Sequence, residues 1–343
     1  MPIRTYLINQ FNNKKCRLNG IKPSKRMPYK EKLCQHFSDC IQLNNDELPP
    51  KVDLRSEMTP VEDQSRVGSC TANSLAGAYE YILKKTNGSN IDVSRLFIYY
   101  NGRAKNKNAS TITDSGCTMT NAIEALEEYG VCLESVWPYD ISAVNNQPDQ
   151  QAYEQGKDHQ ITGAFKVNID LNEMKSCLAQ GFPFAFGLRL YKTFNRAANT
   201  GVVPQPDAGD QERSEHGRHA MLAVGYSDQS RAFIVRNSWG ESWGDKGYCY
   251  IPYEYMTNPK VSYDMWTIRK VSNDSFGREY WHFDDIVNYL NENSIEKDHE
   301  NDSDDDDENE IIRTDYRRWK NSEEDAWNEY QNLRGLFCYF ARR

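Results

Sequence analysis

Hydrophobic residues recur at helical spacing over residues 72–85, 94–105 and 119–129, and beyond them the period changes to that of strands. Residues 182–190, 220–226, 232–236 and 248–251 are short, apolar or alternating, and bounded by Gly, Asn and Asp. Helices first and strands later predict an α+β fold with two lobes. Gly130 stands where a C-cap would close the third helix. Pro49-Pro50 marks a boundary, and the composition from 51 to 270 is that of a folded domain. Ahead of it, residues 1–50 are polar, with nine Lys/Arg against two acids up to Asp39. The extension 271–343 opens with an amphipathic pattern at 280–290 (Trp281, Phe283, Ile286, Val287, Leu290). Its acidic run at 296–310 cannot bury apolar surface and is expected to be disordered. Its last 33 residues are aromatic enough (Trp319, Trp327, Phe337, Phe340) to predict a docking helix.

A length of 343 residues leaves room for about two domains. The net charge of −9 belongs to one segment: residues 296–310 hold ten acids and one Lys, and the rest of the chain balances at 40 against 40. That balance argues against a nucleic-acid partner. No run of 18 apolar residues predicts a membrane span, and polar Asn12, Asn13, Lys14 and Lys15 interrupt any secretory h-region, so the expected location is cytoplasmic. Export without a signal and packaging in a virion stay open. Nine scattered cysteines without a C-x-x-C pair fit neither a zinc ribbon nor a disulfide scaffold; buried thiols are expected, Cys117 and Cys132 included.

Three patterns point to one chemistry. In Gln64-Ser65-Arg66-Val67-Gly68-Ser69-Cys70-Thr71-Ala72 a Gly-Ser turn feeds a cysteine into the start of an apolar-periodic helix. A thiol there meets the positive end of the helix dipole and unpaired backbone N–H groups, both of which favour thiolate. Gln64 is placed to bring its side-chain NH₂ beside the Cys70 N–H as a two-donor oxyanion hole. In Gly217-Arg218-His219-Ala220 a histidine enters a strand, which would hold its ring rigidly. In Arg236-Asn237-Ser238-Trp239-Gly240 the Asn237 amide oxygen would orient that imidazole, with Trp239 and Trp243 shielding the bond from water. A fourth segment, Trp137-Pro138-Tyr139, reads as a structural connector. His216 reads as an ordinary loop histidine, and no metal cluster or cofactor is called for.

With His219 149 residues and Asn237 167 residues beyond Cys70, the chain resembles the papain-like cysteine peptidases (the C1 family) over roughly residues 50–270. The resemblance implies a papain-like two-lobe fold, with a helical left lobe and an antiparallel β-barrel-like right lobe flanking the active-site cleft. It implies hydrolysis of peptide bonds through a Cys-His-Asn thiolate/imidazolium mechanism and a thioester acyl-enzyme, with polypeptide as partner. In it Cys70 is the nucleophile, His219 the acid/base, Asn237 the orienting residue and Gln64 the oxyanion glutamine. Gly116 falls near the family's glycine pair, where an extended substrate strand bonds to the backbone. Ala220 lines the pocket for the residue two before the cut, and Trp239 completes the substrate-binding set.

The chain departs from the family in places. Val67 stands where a disulfide cysteine is usual, Thr71 where Trp is usual, and Ser115-Gly116-Cys117 is an incomplete glycine pair. Thr71 and a leader shorter than the prosegment of secreted cathepsins resemble bacterial-type or viral members. Two other functions stay open at this level: an inactive or weak papain-like fold that binds a peptide or partner, and a transpeptidase that excludes water from the same thioester. For residues 1–50 two placements are equally open, a plug contacting the cleft or a strap on the lobe surface.

Overall fold

The nucleophile segment shows how local signals build this fold. Helix α2 (Cys70–Asn87) starts directly after Gly68-Ser69 and ends at Gly88, whose φ of 72° is the left-handed conformation a helix terminus favours and whose N–H bonds Lys84 O at 2.8 Å. Two shorter helices flank it. Ser94 caps α3 (Arg95–Ala104) by accepting the Phe97 N–H, and Thr118 caps α4 (Met119–Tyr129) by accepting that of Asn121. A four-residue helix, α1 (Phe37–Cys40), precedes them, and α5 (Gln150–Gly156) and α6 (Leu171–Ala179) follow, each opened by an Asp cap.

The computed structural model describes residues 5–9, 13–40, 48–88, 90–105, 112–207, 209–210 and 217–271. All of these fall within one compact unit, Met1–His282. The amphipathic pattern at 280–290, the acidic run at 296–310 and the aromatic C-terminal segment lie outside the described residues.

The strands are β1 (Tyr6–Ile8), β2 (Lys15–Arg17), β3 (Ile21–Lys22), β4 (Gln35–His36), β5 (Lys51–Asp53), β6 (Cys117–Thr118), β7 (Ile161–Lys166), β8 (Phe184–Arg189), β9 (Arg218–Ser227), β10 (Ala232–Arg236), β11 (Tyr248–Pro252) and β12 (Ser262–Val271). The main sheet runs β11-β10-β9-β8-β12-β7-β4, with β5 also paired to β9; every pairing is antiparallel except β4 to β7. Strands β8 to β11 lie where the alternation of the sequence puts them. β7 and β12 extend the sheet, and their pairing opens only through register shifts at Ile268 and Lys270.

Two apolar cores sit on either side of the site. One joins α2, α3 and α4 through Leu75, Tyr79, Ile98 and Ile123. The other lies among the strands, with Phe184, Phe186, Met221, Phe233, Trp239 and Trp243. Cys70 belongs to the first core, whereas Trp239, two residues beyond Asn237, belongs to the second. The leader takes part in both: Leu18 and Phe37 are buried in the strand core, and Ile21 and Leu33 in the helical one. It also supplies β3, parallel to β6, and β4 at the edge of the main sheet.

Candidate active site

Cys70 is the first residue of α2 and His219 the second of β9, where it pairs with Leu188 of β8. Asn237 follows the last residue of β10, the strand antiparallel to β9, so sheet register brings it to the imidazole. The His219 Nε2 to Asn237 Oδ1 distance is 2.7 Å, and the Ser238 N–H donates to the same oxygen at 2.8 Å. His219 Nδ1 is buried and without a hydrogen-bond partner among the described residues. The Trp239 ring stacks on the imidazole, centroids 4.5 Å apart and 22° between planes, and Trp243 meets Trp239 edge-on at 5.1 Å. The two tryptophans therefore exclude water from the His–Asn bond, and the Trp239 ring is itself buried.

Gln64 reaches the site through a backbone bond from its N–H to Ser238 O at 2.8 Å. Its side-chain oxygen accepts from Ser238 Oγ at 2.6 Å, which turns the amide NH₂ toward Val67 O (2.9 Å) and Arg17 O of the leader (3.4 Å). Ser238 thus joins Asn237 to Gln64, a link invisible in sequence because 174 residues separate its ends.

Residues 14–22 run over these groups. The Lys14 ammonium bonds Asp63 and, at 3.0 Å, the Trp239 carbonyl. Asn19 exchanges two bonds with Arg218: its N–H donates to Arg218 O at 2.7 Å, and its Oδ1 accepts from Arg218 N at 2.9 Å. Gly20 lies on the nucleophile so closely that an added Cβ would come within 2.4 Å of Gly68 O and 2.7 Å of Cys70 Sγ. Gly20 O then accepts the Cys117 N–H at 3.0 Å, and Ile21 pairs with Cys117. The leader thereby occupies the backbone edge beside Gly116. Ile21 is buried in the same core as Ala220.

This cover changes the electrostatics expected from sequence. Burial pushes the Cys70 thiol up to about 12 and pulls His219 down to about 4, the latter against the Asn237 hydrogen bond. The dipole of α2 favours a thiolate, but desolvation by burial outweighs it at Cys70.

Sequence reasoning missed two further groups. Asp114 Oδ1 accepts both the Gly68 N–H (2.9 Å) and the Tyr99 hydroxyl (2.6 Å), and the Tyr99 oxygen accepts the Gly116 N–H (2.9 Å). This clamp holds the Gly116 edge although the glycine pair is incomplete, and a carboxylate two residues before Gly116 was its only signal. The second group is Tyr139, whose hydroxyl lies 2.5 Å from Ser69 Oγ and 3.0 Å from Gln64 O. Cys16, Cys34, Cys70, Cys132, Cys177 and Cys249 are free thiols.

A cysteine at a helix start, together with a strand-borne histidine held by an asparagine in an α+β frame, defines a cysteine peptidase, a hydrolase of the thiol class. The family model described as papain family cysteine protease matches residues 48–266. An uncharacterized peptidase C1-like protein of Acanthamoeba polyphaga mimivirus is 35% identical over 247 residues, 69% of this chain and 74% of that protein. Cathepsin K of Gallus gallus is 31% identical over 212 residues, a match that spans 58% of its length. Among solved structures, xylellain, a cysteine protease from Xylella fastidiosa, is 32% identical with a TM-score of 0.62, covering 79% of this chain and 99% of that one. The chain belongs to the papain family of cysteine proteases.

Proposed function

We propose that this chain is a cysteine endopeptidase held latent by its own leader. The observation that carries the catalytic part is the buried imidazole: its Nε2 bonds Asn237, and its Nδ1 has no other described partner to serve. With the cleft open, solvation returns to the pair and the Cys70 proton passes to His219 Nδ1. The thiolate attacks the scissile carbonyl while Gln64 Nε2 and the Cys70 N–H hold the oxyanion. His219 then protonates the leaving amine and later activates water on the thioester.

Latency is supported by the seat of Gly20 on Cys70 and by the direction of the leader. Substrate would place the residue two before the cut beside Gly116 and Ala220, with its chain continuing past His219. The leader instead meets Trp239 and Gln64 first, with Lys14 and Arg17, and Cys117 last, with Ile21. It therefore runs in the opposite sense and offers no carbonyl in the direction of attack. The absence of disulfides among the described cysteines supports a reducing, cytoplasmic setting.

The test is intact-mass labelling with an epoxysuccinyl active-site reagent on the full chain and on a chain lacking residues 1–23, with Cys70→Ala as control. Single labelling at Cys70 that is slow in the full chain and fast after truncation is the expected result. Equal rates in both would remove the plug, and no labelling in either folded form would remove the peptidase.

A further inference from the structure

Beneath the nucleophile, a chain of hydrogen bonds has a direction that its geometry dictates. Tyr139 carries one hydroxyl proton, and the Gln64 carbonyl can only accept, so Tyr139 donates to Gln64 O at 3.0 Å. Ser69 Oγ, 2.5 Å away, must then be the donor to the Tyr139 oxygen. The same Ser69 oxygen accepts from Asn73 Nδ2 at 3.0 Å. The proton order is Asn73 to Ser69 to Tyr139 to Gln64, each bond polarising the next.

Two members of this chain, Ser69 and Gln64, are the residues from which the oxyanion donors hang. Gln64 carries the side-chain donor, and Ser69 immediately precedes the Cys70 N–H. Ser69 makes no side-chain cap bond to α2, so its hydroxyl is committed to Tyr139 rather than to the helix start. Tyr139 is in turn fixed from behind. The Arg95 guanidinium lies 4.1 Å from its ring centroid and is paired with Glu62 at 2.7 Å and Glu134 at 3.4 Å. The Tyr139 N–H also donates to Glu134 Oε1 at 2.5 Å.

We infer that Tyr139 is a positioning residue for the oxyanion hole: one hydroxyl, bridging Gln64 O and Ser69 Oγ, sets the separation of the two donors. This rests on the assignment of Gln64 and Cys70 proposed above. Tyr139 touches neither substrate nor the reacting atoms. Its effect is confined to steps that build a tetrahedral oxyanion, and it leaves thiol reactivity alone.

The test compares two reactions of the full chain, hydrolysis of a small fluorogenic peptide and alkylation of Cys70 by iodoacetamide. Acyl transfer builds an oxyanion, whereas alkylation displaces iodide at a saturated carbon and builds none. Both need an open cleft, so their ratio cancels the fraction of molecules in which the leader has lifted. Tyr139→Phe keeps the ring over Arg95 and removes only the hydroxyl. The expected result is a fall of about tenfold or more in the turnover-to-alkylation ratio, borne by kcat rather than KM, since loss of a whole donor costs about 10²–10³. Ser69→Ala, which spares the bond from Tyr139 to Gln64, is expected to do less, and the double variant no more than Tyr139→Phe alone.

An unchanged ratio in Tyr139→Phe overturns the inference, as does a parallel loss of turnover and alkylation, which a structural role would produce. If Tyr139→Phe does not fold, an unchanged ratio in Ser69→Ala overturns it and a lowered one supports it. A wild type that is alkylated at Cys70 but does not cleave peptide, with Cys70→Ala as blank, overturns the peptidase reading and this inference with it. A cleaving wild type with an indifferent Tyr139 overturns the inference alone.

Discussion

Gly20 is the residue on which the proposed latency turns, because only a glycine lets the leader backbone lie on Cys70. An alanine Cβ there would press on Gly68 O, a backbone atom that cannot swing aside. Overpacking of this kind costs about 1–3 kcal/mol, charged here to the covered state alone. Gly20→Ala should therefore raise the rate of Cys70 alkylation roughly 5- to 100-fold, at about tenfold per 1.4 kcal/mol, with the peptidase fold intact. A rate equal to wild type would place the leader off the cleft in solution. At this scale sequence disclosed the chemistry but not the company it keeps. Cys70, His219, Asn237 and Gln64 were legible because each sits in a local pattern. Tyr139, Ser238 and Asp114 were not, since their roles are bonds to residues 46 to 174 positions away.

At the scale of elements, α4 acts as the dock for the leader. Glu124 takes both Arg26 nitrogens at 2.7 Å and the Tyr29 N–H at 2.9 Å, while Glu127 pairs with Lys30 and with Lys32. Burial alone would raise these carboxyls, but the hydrogen bonds from Arg26, and from Lys30 and Lys32, hold both below the ordinary 4.5. A depressed carboxyl contributes docking strength above its free value and loses it as pH falls through the bound one. Asp264, raised by burial where it accepts the Ser24 N–H, works the other way, one carboxyl against two. Acid should thus loosen the leader as pH falls below about 4.5. Limited proteolysis across that range, with cleavage within residues 13–32 followed by intact mass, checks it; Glu124→Gln should move the onset to higher pH. The helices α2, α3 and α4 and the strands β8 to β11 were legible from period and caps, which are local. β3, β4 and β6 were not: each is two residues long and exists only because a distant strand pairs with it.

For the whole molecule, the leader is both cover and part of the frame, and the division falls inside it. Residues 14–22 lie over the cleft, whereas Leu33 and Phe37 are buried in the two cores and β4 closes the edge of the main sheet beside β7. Removing two such side chains forfeits about 1.5–3 kcal/mol each, before the loss of the strand. A chain lacking residues 1–45 should accordingly unfold at markedly lower denaturant than one lacking 1–23, although both uncover Cys70; equal midpoints in urea would show that 24–45 is not structural. Sequence by itself determined the α+β order and the start of α2 at its cysteine, and it singled out the four groups proposed to carry the chemistry. Period, capping and motif spacing depend on neighbours within a few turns of chain. Only the tertiary structure decided that the leader runs across the cleft, that desolvation outweighs the helix dipole at Cys70, and that Tyr139 bridges Gln64 and Ser69. Burial and long-range hydrogen bonds are properties of what surrounds a residue in space, and no local pattern of residues encodes that surrounding.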